Sequence, residues 1–493
     1  MEKLPVKLFK TENFTHYTVM LNEAVELLDI EKSIGSFIIG RGHKKEPILV
    51  FMEKSPAEIA AFYGVIAAGC YYVPIDEQMP AARIDLIIKS CDAGLMICDE
   101  ATMEKAGELD FSGEVVSVDD IKDTPHDAAS LKEVHDRAID TDPIYIVFTS
   151  GSTGVPKGVI ANHRSVQDYI DQLSGVLGLS GETVFGNQSP LYFDACLKEL
   201  YPTIRYGATT YLVPRELFAQ PKNLVEFLND KRINTICWVV SALTMISAFK
   251  TFDIVKPKYL STVAFGSEVF PKKQYRLWRE ALPEARFINL YGPTEATGMS
   301  CYYECERELS EEEPIPIGRP FDNTEVLLIK DDGTLAGNDE EGEICLRGTC
   351  VTMGYYNDRE RTDAAFVQNP LQSAYPEIIY RTGDMGRYNE YGELVFMSRR
   401  DHQIKHMGHR IELGEIEAAV NRLDEVKICA CTYDIDRDRI VLHLVGDMDK
   451  KGMAEKLKTM LPHYMLPGRI RVLEEMPFTA NGKIDRKTLA AQK

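Results

Sequence analysis

The chain has 493 residues, 44% of them hydrophobic and 27% charged, which is enough for about three domains of ordinary size around a substantial core. Its 56 basic and 76 acidic residues give a formal charge of −20, a field that repels nucleic-acid phosphates and argues against nucleic acid as a partner. No apolar run approaches the ~18–20 residues of a membrane span, the amino terminus lacks a signal-peptide core, and 11 scattered cysteines suit a reducing cytoplasm better than a disulfide framework.

In chain order, Pro47–Phe51 reads as a strand, Ala57–Ala68 as a helix and Gly69–Pro74 as the next strand. The apolar run Ile144–Val147 predicts a buried strand leading into Phe148-Thr149-Ser150-Gly151-Ser152-Thr153-Gly154-Val155-Pro156-Lys157-Gly158-Val159. Tyr206–Val213 holds a further strand, then a helical stretch, then the strand Thr235–Val240. Such alternation predicts an α/β fold of mostly parallel sheets covered by helices. From about Ile315 short strands broken by Asp331-Asp332-Gly333 and Glu341-Gly342-Glu343 predict a small β-barrel region reaching residue 398. A boundary at 399–401 separates a core of residues 1–398 from a small α+β segment, 402–493. That segment carries an amphipathic helix at Glu412–Leu423, strands at Val426–Tyr433 and Ile440–Val445, and a helix near Met453–Met460. Asp434–Asp438 lacks the glycine and closing glutamate of a calcium loop and reads as a hairpin turn. His402, His406 and His409 fall at helix-like spacings, but nothing nearby completes a zinc set.

The segment after Ile144–Val147 is rich in glycine and hydroxyl residues, so backbone N–H groups can approach a polyphosphate closely. It is not a Walker A loop, because Lys157 follows proline and precedes glycine. The segment resembles the phosphate loop of the adenylate-forming superfamily: acyl-CoA synthetases, luciferases and nonribosomal peptide synthetase adenylation domains. Three further segments share that resemblance. They are Asn289-Leu290-Tyr291-Gly292-Pro293-Thr294-Glu295, Tyr380-Arg381-Thr382-Gly383-Asp384, and Arg399 through Glu417. The last departs slightly, with Ser398 where glycine is usual.

The resemblance implies ATP and Mg²⁺ as cofactors, and a nucleotide site of Thr149, Ser150, Gly151, Ser152, Thr153, Gly154, Lys157, Gly266, Ser267, Glu268, Asn289, Tyr291, Gly292, Thr294, Asp384, Arg399 and Lys483. Within it Tyr291 stacks on adenine, Thr294 meets the phosphate, Glu295 holds magnesium and Asp384 takes the ribose hydroxyls. Asp401 is the expected hinge of a mobile C-terminal domain. Lys483, in Thr479–Arg486, is the expected bridge between ATP and the substrate carboxylate. A cation there offsets charge developing between two anions, so Lys483, Lys157, Thr294 and Glu295 are the candidate catalytic residues.

The expected substrate segment is Leu191–Lys198. In amino-acid-activating relatives the aspartate of its Phe193-Asp194 pair meets the substrate ammonium. Alignment with family motifs lines the pocket with Phe193, Asp194, Ala195, Lys198, Cys237, Val263, Phe265, Leu290, Gly298 and Met299, made narrow by Phe265, Leu290 and Met299. Length and strings such as Ala219–Leu224 resemble D-alanine–carrier protein ligases. Those enzymes carry a cysteine just before the Gly-Glu pair, where this chain has Gly266-Ser267-Glu268. Lys198 also has no partner on a small apolar substrate. Two readings of it stay open: it pairs with an acidic or amide side chain, or it snorkels outward.

The expected reaction forms an aminoacyl-AMP and pyrophosphate, then passes the aminoacyl group to the phosphopantetheine thiol of a separate carrier protein, the sequence ending at Lys493. Coenzyme A is a less favoured acceptor. An acyl-CoA synthetase for an ordinary acid and a non-catalytic nucleotide-binding protein are the competing readings.

Overall fold

The computed structural model describes residues 21–151, 154–310, 313–400, 403–446, 450–478 and 484–491, with backbone alone at 21–27 and 436. Alternating apolar and amphipathic runs build two helix-covered sheets. The first orders its strands Glu114–Ser117, Leu95–Cys98, Pro47–Phe51, Tyr71–Ile75, Pro143–Thr149 and Lys157–Asn162. The first five run parallel; the sixth folds back antiparallel on the fifth, pairing Thr149 with Lys157. The glycine-rich segment is therefore the turn of a hairpin, whereas a Walker loop joins a strand to a helix.

The second sheet orders its strands Arg319–Pro320, Cys301–Glu304, Arg286–Tyr291, Thr262–Gly266, Thr235–Val239, Val184–Asn187 and Thr209–Leu212. Its last five are parallel. The chain turns in opposite directions on either side of Val184–Asn187 and Thr235–Val239, and the crevice outside the carboxyl ends of such strands is where open α/β sheets bind ligands. Side chains on each strand alternate between two cores. Cys237, Ala264, Ile288 and Leu290 join the core shared with the first sheet. Ile236, Trp238, Val263, Phe265 and Phe287 join a second core under the helices Pro221–Asp230, Val240–Ala248 and Lys272–Ala281.

Where a small barrel is expected, five strands between Thr324 and Arg399 form a curled antiparallel sheet. Beyond it, residues 403–491 carry a core of their own, including Ile411, Ile416, Cys431, Leu442 and Met453. Asp434–Asp438 is indeed the turn between two antiparallel strands. His406 and His409 do not share a helix. They face each other across the hairpin Gln403–His406 and His409–Glu412, because Met407 and Gly408 both take positive φ, as a two-residue primed turn requires. No cluster of metal-ligating side chains occurs among the described residues. All 11 cysteines are free and buried, and no described helix is long and apolar enough to cross a membrane.

Candidate active site

The four predicted motif segments meet around the turn that follows the strand Arg286–Tyr291. Glu295 stands in a turn of 3₁₀-helix (Thr294–Ala296) and is fully buried. One of its oxygens pairs with Lys157 Nζ at 3.1 Å and accepts from the Tyr355 hydroxyl at 2.7 Å; the other accepts from Arg410 at 2.6 Å. Burial alone raises the pKa of Glu295, but Arg410 and Lys157 outweigh it and hold the carboxylate well below its usual range. Burial also lowers the pKa of Lys157, and Glu295 opposes that shift.

The ribose-binding aspartate expected from sequence, Asp384, is buried on Ile378–Tyr388. It pairs with Arg399 and accepts from the Tyr291 hydroxyl at 2.5 Å. Lys405 stands 5.5 Å over the Tyr291 ring. Thus the structure brings Tyr291, Asp384 and Arg399 together. Asn289 instead donates to the Pro316 carbonyl at 2.8 Å. Glu268 uses both oxygens on backbone, accepting from Ser241 N–H at 2.6 Å and Gly408 N–H at 2.7 Å.

Asp194, 8% exposed, opens a 3₁₀ turn that runs into the helix Leu197–Tyr206. Burial raises its pKa, and hydrogen bonding from the Thr294 hydroxyl opposes the shift. The substrate segment therefore touches the Tyr-Gly-Pro-Thr-Glu turn directly.

The family model for AMP-binding enzymes matches residues 25–356. The chain belongs to the AMP-binding enzyme family. The D-alanine–D-alanyl carrier protein ligase of Bacillus licheniformis is 33% identical over 466 residues, covering 90% of this chain and 88% of that protein. Tyrocidine synthase 3 of Brevibacillus parabrevis is 31% identical over 462 residues, 91% of this chain but 7% of that protein. The Vibrio cholerae adenylation domain AlmE, solved with glycyl-adenosine-5′-phosphate, has the same fold. Its TM-score is 0.82 at 22% identity, over 99% of this chain and 95% of that one. This AMP-binding enzyme is an adenylate-forming, AMP-forming ligase, and its family implies ATP as the nucleotide substrate.

Two predicted pocket residues are misplaced. Val263 and Phe265 face away from Asp194; Phe265 packs on Phe270 and Tyr275, with ring centroids 5.0 and 6.3 Å away. Ala264 pairs in register with Cys237, and Gly266 with Leu290, so these are the residues on the Asp194 side. A shift of one residue along a strand exchanges its faces, and here it replaces two bulky side chains by a methyl and a hydrogen. Cys237, Leu290 and Met299 lie on the expected side. Gly298 lets the chain pass close to Tyr169: a Cβ there would stand 3.1 Å from that ring. Phe193 packs edge-on against His409, which stacks on Tyr464 at 3.6 Å. Burial brings the His409 imidazole down to a pKa of about 3, so it is neutral.

The phosphate loop holds an anion supplied by the protein itself. Gly151 N–H donates to Glu415 at 3.2 Å, Ser150 Oγ donates to the Arg410 carbonyl at 2.8 Å, and Glu415 forms a buried pair with Arg83. The Thr149 hydroxyl is buried without a partner. Arg410, Glu415, Lys405, Tyr355 and Arg83 were not among the predicted site residues. Three of them lie in the long fourth segment, where a charged residue every few positions was the available signal. With both Glu295 oxygens already held by cations and a hydroxyl, Mg²⁺ does not fit beside it in this arrangement. Ser152, Thr153, Asp401 and Lys483 lie outside the described residues.

Proposed function

We propose that this ligase activates an amino acid, forming an aminoacyl-AMP and pyrophosphate, and passes the aminoacyl group to the phosphopantetheine thiol of a separate carrier protein. Asp194 carries the proposal. It is buried, its pKa is raised by that burial, and it has no ion-pair partner among the described residues, Lys198 opposing the shift only from beyond ion-pair distance. A carboxylate in such a place costs several kcal/mol unless a cation meets it, and a substrate α-ammonium supplies one. The α-carboxylate then points toward Thr294 and the phosphate loop, in line with the α-phosphate. Lys157 and the loop N–H groups stabilise the charge that builds there, and Lys483 bridges the two anions.

The second half-reaction is supported by what now fills the phosphate site. Glu415 and Arg410 take the groups a triphosphate needs, so the observed arrangement suits the stage after pyrophosphate has left. We place the segment beyond the Asp401 hinge as a lid that swings between the two stages. Similarity to the D-alanine ligase favours D-alanine as a second reading of the substrate.

Carboxylate-dependent ATP–pyrophosphate exchange tests the proposal, with Lys483→Ala as control. Exchange with an amino acid, lost in the variant, supports it. Exchange only with acids lacking an amino group makes Asp194 structural and moves the enzyme to the acyl-CoA class. Thioester formation on coenzyme A but on no carrier protein overturns the acceptor.

A further inference from the structure

Two lysines, Lys54 half-buried and Lys198 buried, lie beside the amino-acid pocket, and their surroundings differ. Lys54 Nζ donates to the carbonyl oxygens of Asn187, Gln188 and Ser189 at 3.3, 3.4 and 3.1 Å. Lys198, only 4% exposed, makes no hydrogen bond and no ion pair among the described residues. It follows Asp194 by one helical turn, and its charge acts on Asp194, Glu199 and Cys237. Glu199, next in the chain, does not reach it within ion-pair distance; one of its oxygens accepts from Asn187 at 3.2 Å and the other has no partner. At 4% exposure the Lys198 stem lies within the protein and not along its surface.

Two further donors on the same side of the sheet are unused. The Tyr145 and Tyr169 hydroxyls are buried without hydrogen-bond partners. Both lie within the field of Asp194, and Tyr169 within that of Cys237 as well. Tyr169 is the ring that packs on Gly298, which anchors it to the pocket wall. Buried donors are almost always satisfied in native proteins, and a substrate carboxylate would satisfy these two. Ala264, turned to this side, presents only a methyl group to them, while Gly266 lies close against the Leu290 backbone.

Resting on the amino-acid reading above, we infer that Lys198, with the Tyr169 and Tyr145 hydroxyls, binds a second, side-chain carboxylate, so that the substrate is an amino dicarboxylic acid. Its charges then alternate with those of the pocket: α-ammonium on Asp194, side-chain carboxylate on Lys198, and the α-carboxylate left free to attack phosphate. Alanine or glycine would leave the Lys198 ammonium and two buried hydroxyls without partners, which is why D-alanine fits this pocket poorly.

The test is ATP–pyrophosphate exchange by the full chain against the standard amino acids and the D-forms of alanine, aspartate and glutamate. The expected result is highest kcat/KM with glutamate or aspartate. Lys198→Met should lower it ~100-fold on that substrate, mainly through KM, and shift preference toward an uncharged side chain of like length. Tyr169→Phe, expected to raise KM ~10-fold for the acidic substrate alone, gives an independent reading if Lys198→Met does not fold. Exchange with alanine or another neutral amino acid, indifferent to both substitutions, overturns the inference and leaves the amino-acid reading standing. Exchange with no amino acid, but with a plain carboxylic acid, overturns both.

Discussion

Gly408 separates two energies that are usually mixed. It sits at φ +78° in the two-residue turn of the 403–412 hairpin, and a Cβ there would stand 2.6 Å from Val239 Cγ1. In Gly408→Ala the left-handed backbone costs about 1–2 kcal/mol wherever the hairpin goes, because the turn belongs to the segment proposed as the lid. The overlap with Val239 arises only when the hairpin is docked on the core, and overpacking of this kind costs about 1–3 kcal/mol. Docking should therefore weaken roughly 5- to 150-fold, while the lid loses stability by the smaller backbone cost. In the docked state Glu415 and Arg410 occupy the phosphate groups, so loosening it should slow transfer and spare adenylation. Single-turnover transfer from preformed adenylate to the acceptor thiol, measured beside pyrophosphate exchange, reads both. Transfer should fall within that range, with exchange unchanged or faster. Equal loss of both reactions, or intact transfer, would refute the reasoning.

Asp194→Asn keeps the shape of the side chain and removes its charge; kcat/KM for the amino acid should fall ~100-fold, with ATP affinity measured by calorimetry unchanged. The strand register is checked by a pair of variants: Phe265→Leu should cost about 1–2 kcal/mol in denaturant titration and leave amino-acid KM alone, whereas Ala264→Val should raise that KM ~10-fold. Glu199 is buried, and burial raises its pKa from an ordinary 4.5 to about 7. Its folded pKa lies above its unfolded one, so the associated stability is present below pH ~4.5 and is lost as pH rises to ~7, a loss of about 3 kcal/mol. Glu199→Gln should remove that part of the pH dependence: the stability difference between variant and wild type, measured by denaturant at pH 5 and pH 8, should shift toward the variant at the higher pH. Parallel pH curves would show that Glu199 does not titrate there.

Much of the nucleotide site was legible because its chemistry is carried by contiguous strings. Glycines and hydroxyls must be adjacent to make a phosphate loop, and Tyr291, Thr294 and Glu295 fall within five residues at the end of one strand. Alternating apolar runs likewise marked the strands Pro47–Phe51 and Thr235–Val239 within a residue or two of their ends. What tertiary structure alone decided is which side chains face each other. Val263 and Phe265 differ from Ala264 and Gly266 by one step of a two-residue repeat, and a buried strand, apolar on both sides, offers no pattern by which to choose. The pairing of Arg410 with Glu295, 115 positions apart, and of Glu415 with Arg83 depends on how two separate cores dock. That Lys198 is unpaired among the described residues is a fact about the space around it. The sequence determined which chemistry the chain carries; only packing, which fixes the distances between residues remote in the chain, decided what each charged group meets.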